Sequence, residues 1–183
     1  MNEKIIENTL NEFVKRFQKN PFNYLYEEDI RSELYCYIKA KLKDFLFMKI
    51  SRVKTDYHYS PDTEIDIAIL DDIKNTPDLS KKDGIKSLYR VRVKTAIEIK
   101  QQRIDNDQTK PFKEDQIKLE NLMKRKNFIE SIDTGIAILF FQYDGDFVKA
   151  KKFYNGFVEH TEIKIKQKCL NKIIITPSDI LMK

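Results

Sequence analysis

The sequence predicts an α/β domain with a central mixed β-sheet flanked by helices, and three observations carry that expectation. Apolar residues recur at three- and four-residue steps over two early segments, the mark of amphipathic helices. Three strand-like segments follow. A further helical pattern then leads into the uninterrupted apolar run Ile136-Ala137-Ile138-Leu139-Phe140-Phe141, whose character suits a strand buried on both sheet faces. The resulting order of helix, three strands, helix and strand points to a mixed sheet with helices on either side.

Each element has its own signal. From Asn2 to Gln18, Ile6, Leu10, Phe13, Val14 and Phe17 form one stripe, and Asn20-Pro21 ends the helix. A second helix fits Tyr26 to about Leu46, with Ile30, Leu34, Ile38, Leu42 and Phe45 on its buried face and an acidic first turn that suits the helix dipole. Met48 to His58 and Thr63 to Leu70 read as a hairpin across Tyr-Ser-Pro-Asp, and Tyr89 to Lys100 as the third strand. The polar stretch from Asp71 to Leu88 reads as an elaborated loop. A helix from Lys113 to Lys126 turns Leu119, Leu122 and Met123 inward, and the strand Gly135 to Tyr143 follows. A short helix near Phe147 to Phe157 and strands at Glu162 to Lys168 and Lys172 to Thr176 complete the reading.

A chain of 183 residues suits one domain with a real core, and 41% hydrophobic with 34% charged residues is a globular composition. We expect a single unit over residues 1–183: a core at about 26–143, an N-terminal helix at 2–18 and a basic C-terminal extension at 146–183. That extension holds eight lysines against Asp146, Glu159, Glu162 and Asp179. The net charge of +5 permits a polyanionic partner without requiring one. Cys36 and Cys169 form no framework, which suggests a reducing compartment, and no segment has the length of a membrane span. Cytoplasmic is the resulting expectation, with no membrane partner.

The chemistry concentrates in two strands. In Val93-Lys94-Thr95-Ala96-Ile97-Glu98-Ile99-Lys100, alternation sets Glu98 and Lys100 on one face. In Glu64-Ile65-Asp66-Ile67-Ala68-Ile69, Asp66 shares a face with Ala68. Bringing Asp66 beside Glu98 crowds two carboxylates, which is costly unless a cation neutralises them, and such oxygen donors suit Mg²⁺ or Mn²⁺. An ion of that kind polarises a scissile phosphate and acidifies water, while an ammonium at Lys100 orients the water or counters developing charge. Glu-Ile-Lys alone discriminates nothing, since Glu162-Ile163-Lys164 repeats it and Asp72-Ile73-Lys74 comes close. Glu162 lacks an acidic strand upstream and reads as part of a solvated edge strand.

This arrangement, over roughly Tyr26 to Tyr143, resembles the PD-(D/E)XK nuclease superfamily, also called restriction-endonuclease-like. The resemblance rests on Thr63-Glu64-Ile65-Asp66-Ile67 and Ala96-Ile97-Glu98-Ile99-Lys100. It implies a restriction-endonuclease-like core and a Mg²⁺-dependent nuclease, an endonuclease acting on DNA, with RNA left open. Its implied catalytic residues are Asp66, Glu98 and Lys100, and its implied metal ligands are Asp66, Glu98 and the Ile99 carbonyl. Pro61-Asp62 also occurs, but in the turn, so Asp62 ranks below Asp66. Many members add a helical acid; here Glu27 projects with Leu34, Ile38 and Phe45 whereas Glu33 flanks the same stripe beside Ile30 and Tyr37, and both stay open against the reading that they merely favour a helix start. Gln102, or its neighbour Gln101, is a candidate contact to water or phosphate. Cutting two strands needs two sites, which a homodimer supplies. The alternatives are a non-cleaving nucleic-acid-binding or assembly module of the same fold, and an ordinary α/β domain in which Glu98 and Lys100 form a surface pair.

Overall fold

The computed structural model describes residues 2–42, 53–60, 63–70, 92–103, 107–126 and 131–183. Helix α1 spans Asn2–Lys19 and buries Ile6, Leu10, Phe13, Val14 and Phe17, the stripe that its spacing predicts. Asn20 closes it by donating its backbone N–H to the carbonyls of Arg16 and Phe17, and Pro21 opens a 3-10 turn, Pro21–Asn23. Helix α2, Glu27–Lys41, starts where Asp29 Oδ2 accepts the Tyr26 amide at 2.9 Å, satisfying a donor that the helix leaves unpaired. It ends earlier than its periodicity suggests. Leu42 is buried but extended (φ −89°, ψ 125°), so the apolar repeat continues there on a backbone that has left the helix. Phe45 lies outside the described residues, as do Asp62 and the predicted loop from Asp71 to Leu88.

The strands are β1 (Val53–Ser60), β2 (Thr63–Leu70), β3 (Val93–Gln102), β4 (Thr134–Phe141), β5 (Val158–His160), β6 (Leu170–Ile175) and β7 (Ile180–Met182). They form a seven-stranded mixed sheet in the order β1-β2-β3-β4-β6-β7-β5. The first three are antiparallel neighbours, β3, β4 and β6 run parallel, and β7 and β5 return antiparallel. Between β3 and β4 lies helix α3 (Thr109–Lys124), and after β4 come helix α4 (Asp144–Ala150) and a 3-10 turn, Lys151–Phe153.

Strand alternation divides the core into two layers. Ile97 and Ile99 of β3, Ile136, Ile138 and Phe140 of β4, and Ile173 and Ile175 of β6 meet α1 and α2. Ala96, Ala137, Leu139, Phe141 and Ile174 face α3 and α4, where Phe112, Leu119, Leu122 and Phe147 cover them. Every residue of β4 is buried, which explains why its sequence does not alternate. Phe140 packs edge-on to Phe13 and Phe17 with ring centroids 5.9 and 4.9 Å away, contacts that pin α1 to the sheet centre.

The C-terminal third departs from the sequence reading in detail. Glu162 to Lys168 is not a strand, and Glu162 is an exposed residue of an irregular segment. Side chains of α1 replace the ladder there. Asn11 both donates to the Ile163 carbonyl (3.0 Å) and accepts its amide (2.7 Å), and Glu7 accepts the Ile165 amide at 3.0 Å. The helix expected near Phe147 to Phe157 stops at Ala150, and the short strands β5 and β7 lack enough residues to show a period. Among the described residues no helix is long and apolar enough to cross a membrane.

Candidate active site

The β2–β3 ladder ends at the pair Ile67 and Ile97, and Asp66 and Glu98 are the next residue on each strand. Past that point the Ile99 amide has no partner across the ladder; Asp66 Oδ2 accepts it instead at 2.7 Å. A carboxylate thus takes the place of a strand carbonyl, which fixes Asp66 between the two strands. Its other oxygen lies 3.4 Å from Arg31 Nη1 of α2.

The second helix is held at this end of the sheet by its lead-in. The Tyr24 carbonyl accepts Gln101 Nε2 at 2.7 Å and Gln142 Nε2 at 2.6 Å, tying the chain before α2 to the carboxyl ends of β3 and β4. Glu27, the first residue of α2, consequently meets Lys100, whose Nζ lies 3.1 Å from Glu27 Oε1. The same ammonium donates to the Ile99 carbonyl at 3.1 Å and lies 3.4 Å from Asp115 Oδ2 of α3. Lys118, one turn further along α3, is 3.4 Å from Asp115 Oδ1 and 2.7 Å from Glu98 Oε1. It also donates to the Glu64 carbonyl at 3.1 Å.

Asp66, Glu98, Glu27 and Asp115 therefore face Arg31, Lys100 and Lys118 at one end of the sheet. Glu98 is only 2% exposed, so it is not half of a surface pair. Burial, and then the charge of Asp66, push its carboxyl up to about 8 against the pull of Lys118. Burial likewise raises Glu27 and Asp115, each against the pull of Lys100. For Lys100 burial works in the other direction, but Asp115, Glu27 and Asp66 outweigh it and hold the ammonium above its ordinary range. Lys118 is raised in the same way, mainly by Glu98.

The donors suit a hard cation in kind, since Asp66, Glu98 and the Ile99 carbonyl offer oxygen alone. Glu98 Oε1 is fully buried, and the Lys118 ammonium 2.7 Å away is the group that meets it. Among the described residues, however, no three His, Cys, Asp or Glu side chains form a metal cage. The fit is thus to two carboxylates completed by a backbone carbonyl, with Lys118 now beside one of them.

Other candidates are placed elsewhere. Glu33 lies against α1, 3.7 Å from Arg16 Nη2, so Glu27 is the helical acid that reaches Lys100. Gln102 braces the turn into α3: its Oε1 accepts the Gln108 amide at 2.7 Å and its Nε2 donates to the Arg103 carbonyl at 2.9 Å. Gln101 is buried on the opposite face with Tyr24. Sequence reasoning missed Arg31, Asp115 and Lys118. Asp115 did leave a signal, because it occupies the buried stripe Phe112, Asp115, Leu119 and Leu122 at steps of three and four. An acid on an apolar stripe needs a partner. Comparison of the chain with family models, with characterised proteins and with solved structures finds no match.

Proposed function

We propose that this protein is a metal-dependent nuclease that hydrolyses phosphodiester bonds in DNA, with Asp66, Glu98 and Lys100 at its centre and a PD-(D/E)XK type of core. The observation that carries the reading is the buried Glu98 beside Asp66 where the β2–β3 ladder ends, with Lys100 projecting from the same strand. Asp66, Glu98 and the Ile99 carbonyl would hold Mg²⁺ or Mn²⁺. Such an ion supplies Lewis acidity toward the phosphate and lowers the pKa of a bound water.

The chain's own groups define the remaining roles. Lys100 keeps its proton at neutral pH, so it serves as a donor that orients water or balances charge on the phosphate rather than as a base. Glu27 and Asp115 hold that ammonium from two sides, fixing its position. Arg31 restrains Asp66, whose second oxygen is already committed to the Ile99 amide. Lys118 lies against Glu98 and offsets part of the burial and of the Asp66 charge that push its carboxyl up.

The ion pair of Lys118 with Glu98 favours a second reading, a nucleic-acid-binding or assembly module that keeps the fold and does not cleave. One experiment separates the two. Plasmid, single-stranded and branched DNA, with an RNA arm, are incubated with Mg²⁺, Mn²⁺ or chelator, using wild type, Asp66→Ala and Lys100→Ala. Cleavage that needs the metal and falls in both variants supports the nuclease. Equal cleavage by all three proteins, or none under any condition, sinks it.

A further inference from the structure

We propose that the carboxyl-terminal edge of β3 and β4 is a platform for single-stranded nucleic acid, where exposed aromatic rings stack bases and adjacent cations meet phosphates. The inference rests on the nuclease reading and names the form of substrate that the site takes.

Eight large apolar side chains are exposed among the described residues, and five of them belong to this edge: Phe22, Leu25, Tyr26, Tyr143 and Phe153. The double grip of Gln101 and Gln142 on the Tyr24 carbonyl sets the first three across the strand ends. Phe22 and Tyr143 then meet edge-on with ring centroids 5.1 Å apart, while both remain open to solvent. Cations stand beside the other rings. Arg103 Cζ lies 5.3 Å above Tyr26, and Lys152 Nζ lies 5.0 Å above Phe153. Phe153, Arg103 and Lys149 also line one cavity of about 220 Å³.

Rings interleaved with cations are what a flexible polyanion with free π-faces requires, because each base stacks on a ring while its phosphate meets a charge. A duplex hides its base faces within the stack and cannot use the rings. The acids at the cavity do not oppose this assignment: Asp146 is 3.6 Å from Lys149, and Asp107 caps the Thr109 amide at 2.9 Å. The platform is continuous with the candidate active site. Tyr26 immediately precedes Glu27, and Arg103 lies three residues past Lys100, so a strand stacked on these rings continues toward the carboxylates.

Binding is read by fluorescence anisotropy in chelator, which separates it from cleavage, using a labelled single strand of about 12 nucleotides and the same sequence as duplex. Tyr26→Ala and Phe22→Ala should each weaken single-strand binding about fivefold or more. Tyr26→Phe should restore it, because the ring remains. Val158→Ala, an exposed apolar position on the edge strand β5, should change nothing. Equal wild-type affinity for single strand and duplex overturns the platform, as does single-strand binding that Tyr26→Ala leaves intact. Self-association abolished by Phe22→Ala would instead assign the rings to a second copy of the chain. Cleavage that depends on Asp66 alongside ring-independent binding removes the platform and leaves the nuclease. Ring-dependent binding without any metal-dependent cleavage does the reverse.

Discussion

Alkaline titration of the metal-free protein tests the electrostatics of Glu98 directly. Its carboxyl rises from 4.5 to about 8 on folding, through burial and the charge of Asp66, against the pull of Lys118. Between those values the native state holds a proton that the unfolded chain has released. The stability linked to this group is therefore complete below the unfolded pKa and declines as pH rises toward the folded one, levelling off above it. At about 1.4 kcal/mol for each tenfold change in proton activity, the loss between pH 5 and pH 7 is on the order of 2 to 3 kcal/mol, a large fraction of an ordinary domain's stability. Glu27 and Asp115 are raised as well and push in the same direction, so the wild-type curve alone does not isolate Glu98. Glu98→Gln does, because glutamine keeps the shape and cannot ionise. Urea unfolding in chelator at several pH values should show wild type losing stability relative to this variant as pH rises. A difference between the two proteins that stays constant, or that grows in favour of wild type, refutes the account of a destabilised buried acid.

Further predictions use other parts of the structure. At about pH 8, millimolar Mn²⁺ should raise the melting temperature of wild type but not of Asp66→Ala, since binding stabilises only the state that has a site. Glu27→Gln should lower nuclease activity at least about tenfold by loosening Lys100, whereas Glu33→Ala, on the side of Arg16, should leave it unchanged, as measured by initial cleavage rates. Gly135→Ala should destabilise by roughly 1 to 3 kcal/mol in urea, because the added carbon would lie 3.0 Å from Leu170 Cδ1 and 3.2 Å from Leu119 Cβ.

The central strands were legible because side-chain alternation records which face is buried. Thr63–Leu70 matches its predicted bounds, and the continuous apolar run at residues 136–141 marks the strand buried on both sides. The same signal put Glu98 and Lys100 on one face. What it could not convey was tertiary choice. Glu27 projects with one stripe of α2 and Glu33 flanks it, which leaves both open, and the grip of Gln101 and Gln142 on Tyr24 sets Glu27 beside Lys100. The segment from Glu162 to Lys168 alternates like a strand, yet Asn11 and Glu7 satisfy its backbone from a helix about 150 residues earlier. No local pattern carries that information. Lys118 was invisible for a related reason: its partner Glu98 belongs to another element, and on α3 alone it is one lysine among several.

The bonds from Asn11 and Glu7 to Ile163 and Ile165 also govern when the protein can fold. Gln18 extends this stitching by donating to the carbonyls of Thr176 and Asp179. Helix α1 thus has its partners among residues synthesised about 150 positions after it. Until then Phe13 and Phe17 can meet Phe140, but Glu7, Asn11 and Gln18 lack their partners, and contacts of such long sequence separation slow the final closure. Ribosome-stalled chains ending before Ile163 should accordingly expose α1 to protease, with protection arriving only once residues 163–179 have emerged.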